Sequence, residues 1–406
     1  MTFLEELLNS TKEVESPQSF WFWSGLVAIS AIVKDNIWLS RGGHYNLYPN
    51  IYCILHADSG LKKGPPINLA KTLVKMVNNT RIISGRSSIQ GILKELGTAE
   101  TKPGGKINAK SNGFIVSSEL SSSLVQDPAA LTILTDLYDR NYNDGEWRSL
   151  LKMENFQLKD PTVTMFGGIN DAHAESFFEK KDIRGGYYAR TFIVHESEGQ
   201  TVNSLARRLQ NPLNKEKLAV YLKQIEKLNG PIKELADENN KLTEVGEYFD
   251  DWYIKFKRNL KESGVRDSTG TLNRFDDSVL KVAILLSLAQ EPVLEIKLDA
   301  LKQAIEVCQK LVGNVRRTTL KEGSKQLYAD QKVLIIEELL RRDGNIISRA
   351  KLLEKYWMHF NADQLDQIML SFDQAGQIKT ESTGSMIVYR MPQIVANELK
   401  RFMEGK

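Results

Sequence analysis

The stretch Ile51-Tyr-Cys-Ile-Leu-His-Ala-Asp-Ser-Gly-Leu-Lys-Lys-Gly-Pro-Pro-Ile-Asn-Leu-Ala70 decides the reading of the fold. A short apolar run leads into a Ser-Gly turn, two lysines follow, and an amphipathic helix begins at once. This is the layout of a phosphate-binding loop, which wraps backbone N–H groups around a phosphate and aims a helix N-terminus at the same charge. The standard spacing is G-x-x-x-x-G-K-[ST]. With Lys63 on the motif lysine, Ala57 takes the first glycine, Lys62 the second, and Gly64 the hydroxyl that would hold Mg²⁺. Asp58, Ser59, Gly60, Lys62, Lys63 and Gly64 are therefore the candidate nucleotide-binding residues. Ile67, Leu69, Ala70, Leu73, Val74 and Met76 carry helical spacing over Ile67–Val77. Pro65 and Pro66 suit the first turn, where a missing N–H costs nothing.

Downstream, Gly113–Leu120 gives an apolar strand ending in an acid, and residues 128–139 read as helical. Pro161–Asn170 is a β-branched run ending at a polar residue, and Thr191–Val194 follows Gly185–Arg190 as a further strand. Thr80–Gly91 is polar, and Thr98–Asn112 reads as a loop. Strands alternating with helices of this length predict an α/β fold with a parallel sheet. Residues 1–38 read as helices, with Pro17 as a start signal and Trp21, Phe22 and Trp23 as core. From about residue 202 the spacing turns helical over Leu218–Leu228, Leu242–Leu260, Ser278–Ala289 and Leu298–Val315.

The last eighty or so residues differ. Helices are expected over Gln331–Arg342, from Ser348 through Lys355, and from Asn361 through Gln374, then a hairpin from Ile378 to Arg390. Three helices and a two-stranded wing describe a winged helix, a layout that serves protein as well as DNA contacts. The expected organisation is an N-terminal helical segment (1–40), a phosphate-loop core (41–200), a helical lid (201–323) and a winged helix (324–406).

With 406 residues, 41% of them hydrophobic, the chain can bury a substantial core, and a net charge of +3 neither demands nor excludes nucleic acid. Cys53 and Cys308 read as buried small hydrophobes, which fits a reducing cytoplasm. The acidic start MTFLEELLNSTKEVE lacks the basic region of a signal peptide. Phe20–Val33 is too short and too interrupted for a membrane span. His44, His56, His173, His195 and His359 show no metal-ligand spacing.

A catalytic nucleotide site needs more than the loop. It needs an acid at the end of a neighbouring strand, a polar residue on another strand near the γ-phosphate, and often an arginine from an adjacent subunit. Lys63, Glu119, Asn170 and Arg190, in that order along the chain, are the candidates. Taken with "SGLKKGPPINLA" (59–70), "GFIVSSEL" (113–120), "LTDLYDR" (134–140), "DPTVTMFGGIN" (160–170), "GGYYARTFIV" (185–194) and "LNRFDDSVLKVAILLSLA" (272–289), the chain resembles the P-loop ATPases of phages, prophages and plasmids. Members of that group are described as replicative helicase or primase-associated proteins.

The resemblance implies a RecA/AAA+-like core with a helical lid, using ATP and Mg²⁺ and working as a homo-oligomer, a hexameric ring among the arrangements, in the cytoplasm of a bacterial host. Lys63 would contact the β- and γ-phosphates, Glu119 would activate water, and Asn170 would be the polar sensor. Arg190 or Arg274 would act as a trans-acting finger or lid arginine. Two positions depart from the pattern: Gly64 replaces the Mg²⁺-coordinating hydroxyl, and Ser118 replaces the aspartate that usually precedes the glutamate.

DNA contact is the other half of this expectation. The third C-terminal helix carries Asp363, Asp366 and Asp373 and no lysine or arginine, which argues against major-groove reading by that helix. Arg86, Lys102, Lys106 and Lys110, in polar loops, are the candidate channel residues. The leading expectation is an ATP-dependent DNA helicase or translocase acting in replication. The rival is a catalytically weak nucleotide-binding scaffold that loads or tethers a partner protein through its winged helix.

Overall fold

The computed structural model describes residues 2–77, 80–85, 87–97, 100–101, 107–108, 110–120, 128–140, 146–150, 155–170, 186–202, 209–237, 239, 241–262, 270–319, 324–383 and 386–403. The chain divides into two compact units, Met1–Tyr253 with Arg266–Asn314, and Ile254–Val265 with Val315–Lys406.

At the centre of the first unit lies a sheet of five strands: β1 (Tyr52–His56), β2 (Ile82–Ser84), β3 (Asn112–Ser117), β4 (Thr162–Ile169) and β5 (Thr191–His195). All pair in parallel, in the spatial order β5-β1-β4-β3-β2. Every residue of β1 and β4 is buried. That is the signature of strands covered on both faces, and it explains why they read as unbroken apolar or β-branched runs rather than alternating ones.

Side-chain alternation along β4 assigns the two covers. On one face Thr164 meets Ser30, with the two hydroxyls 2.9 Å apart, and Gly168 faces Ile67. Those partners belong to helices α1 (Gln18–Val33) and α2 (Gly64–Val77), which pack on each other. On the other face Tyr52, the register partner of Met165, donates its hydroxyl to the Leu134 carbonyl at 2.9 Å. Leu134 belongs to helix α3 (Pro128–Asp139). Helix α1 is apolar all round and buried from Trp23 to Val33, as a core helix must be. Each of its large side chains contributes about 1.5–3 kcal/mol by burial.

The N-terminal helices share this unit with the sheet, as do the helical residues within 215–253 and 275–314. Helices Lys215–Glu226 and α4 (Phe275–Gln290) both contact α1. Although residues 37 and 38 were expected to end a helical stretch, residues 37–41 form a strand. It pairs with Tyr45–Leu47 in a hairpin and with Gly230–Pro231 in parallel. Within the expected loop 98–112, Glu100–Thr101 pairs with Ile107–Asn108. No helix among the described residues is long and apolar enough to cross a membrane. Cys53 and Cys308 are both buried and free, and burial pushes both thiols up.

In the second unit, helices Ser324–Leu340, Arg349–Tyr356 and Ala362–Gln374 surround one apolar core with a three-stranded antiparallel sheet. Its strands are Ile346–Ser348, Lys379–Thr383 and Met386–Arg390, with the last in the middle. The first strand and a closing helix, Gln393–Met403, add to the expected hairpin. Ser348 and Asn361 cap their helices as the sequence predicts, each accepting from the N–H three residues on. Asp366 is held by Arg349 through two hydrogen bonds of 2.8 Å, so one of the three helix acids is already neutralised.

Glu338 is buried in this unit and accepts from Arg342, Lys355 and Tyr356. Burial pushes its carboxyl up, but the hydrogen bonds together outweigh burial and leave it below the usual glutamate value. A depressed folded-state value means stability that is full above the unfolded value, about 4.3, and lost as pH falls below it. Glu338→Gln is therefore expected to lower the second unit's stability at pH 7 and to flatten its acid limb, read by chemical unfolding between pH 7 and 3.

Candidate functional site

The loop after β1 turns through two left-handed residues before the next helix. Gly60 has φ +104° and Lys62 φ +51°, so the position that normally holds the second glycine stays left-handed although it carries a side chain. The Leu61 N–H donates to the Asp58 carbonyl at 3.4 Å, which closes the turn. Helix α2 then starts at Gly64, with Pro65 and Pro66 in its first turn. Of its first three residues only Gly64 carries an N–H, because Pro65 and Pro66 have none, and the Ile67 N–H already donates to the Lys63 carbonyl at 3.4 Å, so this helix start offers an anion fewer donors than a standard one. The Lys63 ammonium folds back, donating to the carbonyls of Ala57 at 2.5 Å and Asp58 at 2.9 Å. A phosphate in the loop would compete for that ammonium. Asp58, Ser59, Gly60 and Lys62 are exposed, and Gly64 is half-buried.

Strand β4 brings the other partners to this loop. The Ala57 N–H donates to the Ile169 carbonyl at 3.4 Å, which sets Asn170 beside the loop's first residues. Asn170 Nδ2 donates to Glu119 Oε1 at 3.0 Å, and Glu119 is open to solvent at the end of β3. Gly168 allows this convergence, since a Cβ there would stand 2.6 Å from the Ser118 carbonyl oxygen and 3.4 Å from Ile67. Gly168→Ala should therefore push the ends of β3 and β4 apart. The expected cost is about 1–3 kcal/mol, read from the urea midpoint, together with weaker phosphate binding.

Lys63, Glu119 and Asn170 thus meet at the carboxyl ends of adjacent parallel strands. The chain from β1 next enters the sheet at the β2 edge, whereas the chain from β4 returns on the far side of β1. Where neighbouring strands send their successors in opposite directions a crevice opens, and ligands of open α/β sheets bind there. His56 and His195 end β1 and β5 as register partners at the same edge, with ring centroids 4.6 Å apart. Both were visible in the sequence, but their pairing depends on sheet order, which no local spacing encodes.

Arg190 and Arg274 do not join this group. Arg190 precedes β5 and so lies at the amino ends of the strands, the opposite edge of the sheet. It is 8% exposed, bound to Asp139 and donating to the Gly186 carbonyl at 2.7 Å. Arg274 also binds Asp139, at 3.1 Å, and keeps 39% of its side chain exposed. A trans-acting finger needs a free guanidinium, and Arg190 is turned into its own chain. Sequence reasoning missed Asp139, whose only signal was its place at the end of a predicted helix.

Of the four loop cations, Arg86, Lys102 and Lys106 lie outside the described residues. Lys110 sits at the amino edge, paired with the buried Asp35 at 2.6 Å. No group of three or more metal-capable side chains occurs among the described residues. No model of a known protein family matches the chain, and no curated protein matches it.

Proposed function

We propose that the carboxyl edge of the sheet binds and hydrolyses ATP, and that the chain works as an oligomeric DNA helicase or translocase in the replication of a mobile genetic element. The observation that carries the nucleotide reading is the meeting of three groups at one crevice: the Lys63 loop at the head of α2 and the hydrogen-bonded Glu119–Asn170 pair. The sheet supports a RecA/AAA+-like core, since the loop strand lies beside β4 and the acid-bearing β3 comes next. The loop N–H groups and Lys63 would hold phosphate oxygens, and Asn170 would orient the Glu119 carboxylate toward an attacking water. The Asp58 carboxylate lies in the loop, and that of Glu119 follows the nearby strand β3. Mg²⁺ takes one or two such groups besides phosphate oxygens, so these residues fit it, and it would neutralise phosphate charge there.

The DNA half rests on the resemblance and on the winged-helix layout of the second unit. One specific pair of observations favours the rival scaffold reading. Gly64 offers no side chain to a metal, and the exposed face of helix Ala362–Gln374 carries Asp363 and Asp373 with no basic residue.

Measuring ATP binding and hydrolysis with and without single-stranded DNA tests both readings. DNA-stimulated turnover that falls at least about a hundredfold in Lys63→Ala is the expected result, the size typical of losing a charge-stabilising donor. Nucleotide that binds and does not turn over would move the conclusion to the scaffold. Absence of nucleotide binding would overturn both.

A further inference from the structure

A second cavity, of about 410 Å³, lies at the amino edge of the sheet, at the opposite ends of the strands from the Lys63 loop. Tyr45, Tyr48, Tyr138 and Tyr253 contribute aromatic surface to its lining. Its charges come from Arg190, Arg274 and Lys281 on one side and Asp139, Asp276 and Asp277 on the other. Arg41 satisfies the last two, at 3.0 Å to Asp276 and 3.7 Å to Asp277, and Tyr45 donates to Asp277 at 3.0 Å. Asp139 is then left to answer both Arg190 and Arg274.

Two guanidinium groups thus share one carboxylate, and part of their donor capacity is unused. The Arg190 Nε–H is buried and has no acceptor among the described residues. Arg274 donates one Nη1 to Asp139 and keeps more than a third of its side chain open. Guanidinium groups are five-donor forks suited to carboxylate and phosphate oxygens.

Lys281 is the third cation. It is 4% exposed, its ammonium donates to Asn50 O at 3.0 Å and Oδ1 at 2.9 Å, and it stands 3.7 Å over the Tyr138 ring. Burial is the main reason its proton is held weakly, with the value brought down to about 7. Arg190 and Arg274 push it the same way, while Asp139 and Asp277 oppose.

We propose that this cavity binds a small organic oxyanion, a carboxylate or a phosphate monoester, carried on a flat aromatic body. The oxyanion takes the open donors of Arg274, with the buried Arg190 guanidinium adding positive charge behind them, and the tyrosine walls receive the ring. Bound negative charge beside Lys281 favours its protonated form, so binding near pH 7 takes up a proton and weakens as pH rises. The site is independent of the nucleotide reading, since it shares no residue with the Lys63 loop.

Phenyl phosphate, benzoate and phenol, titrated calorimetrically into the full chain carrying Lys63→Ala, test the proposal. That background removes the loop lysine as an alternative receiver of phosphate. Saturable binding of phenyl phosphate or benzoate is expected, and which of the two binds identifies the oxyanion. Arg274→Gln should weaken it about tenfold or more, the loss of a charge-assisted hydrogen bond. As a readout that needs no variant in the cavity, the bound oxyanion should protect the Lys281 amine from an amine-reactive reagent, mapped by mass spectrometry, where phenol does not. No saturable binding of either oxyanion, binding that Arg274→Gln leaves within about twofold, or phenol that binds and protects as well as phenyl phosphate would each overturn the proposal.

Discussion

Glu119→Gln is expected to bind ATP as tightly as the wild-type chain while hydrolysing it about 10²–10⁴ times more slowly, the usual contribution of a positioned general base. The substitution separates the two roles of the side chain cleanly. Glutamine keeps the Oε1 acceptor that receives Asn170 Nδ2 at 3.0 Å, so the ends of β3 and β4 stay joined. What it loses is the capacity to take a proton from water. Glu119 is exposed, so a water can reach it without rearrangement of the strand end. Single-turnover hydrolysis alongside equilibrium binding is the measurement. Equal rates in the two chains would remove Glu119 from the chemistry and leave its partner Asn170 with a purely structural bond.

Asp139→Ala should lower the stability of the first unit by about 3–5 kcal/mol, the cost of breaking a buried ion pair from one side. Arg190 is almost wholly enclosed, and without Asp139 its guanidinium keeps only the Gly186 carbonyl among its observed partners. The reverse change is expected to be milder. Arg190→Met leaves Asp139 with Arg274, which reaches it at 3.1 Å from the partly exposed side. Combining the two should restore much of the loss, because a buried charge pair replaced by apolar groups is often neutral or better. Urea unfolding of the two single variants and the double variant gives the coupling directly. Equal destabilisation by both single variants would show that Arg274 does not support Asp139.

Four of the five central strands were legible because burial on both faces leaves continuous apolar or β-branched runs, as in β1 and β4. The fifth, Ile82–Ser84, is three residues long with only Ile83 buried, and in a polar neighbourhood such a strand has no periodicity to detect. The hairpin of Glu146–Leu150 and Asn155–Lys159 was missed although Phe156 and Leu158 alternate with the exposed Asn155, Gln157 and Lys159, which is the period-two pattern of a half-buried strand. Lys63, Glu119 and Asn170 could be found because all three follow strands in a parallel sheet, and therefore share an edge.

Arg190 breaks that rule. It precedes its strand, and in a parallel sheet residues before and after strands lie at opposite ends. Reading "next to a strand" without asking which end merged two separate clusters into one. The link between Asp139 and Arg274 spans 135 residues and has no local signal at all.

The second unit is assembled from Ile254–Val265 and Val315–Lys406, with Phe256 and Trp357 facing each other at 6.2 Å. On a ribosome, the first piece is finished 50 residues before the second begins, since 315 less 265 is 50. At about 5–20 residues per second that gap lasts roughly 3–10 s. Throughout it, Phe256, which ends 3% exposed, has no Trp357 to rest against. A nascent chain of this protein therefore holds the first piece for seconds without the Trp357 ring it later meets, and that interval is where a holding chaperone would act.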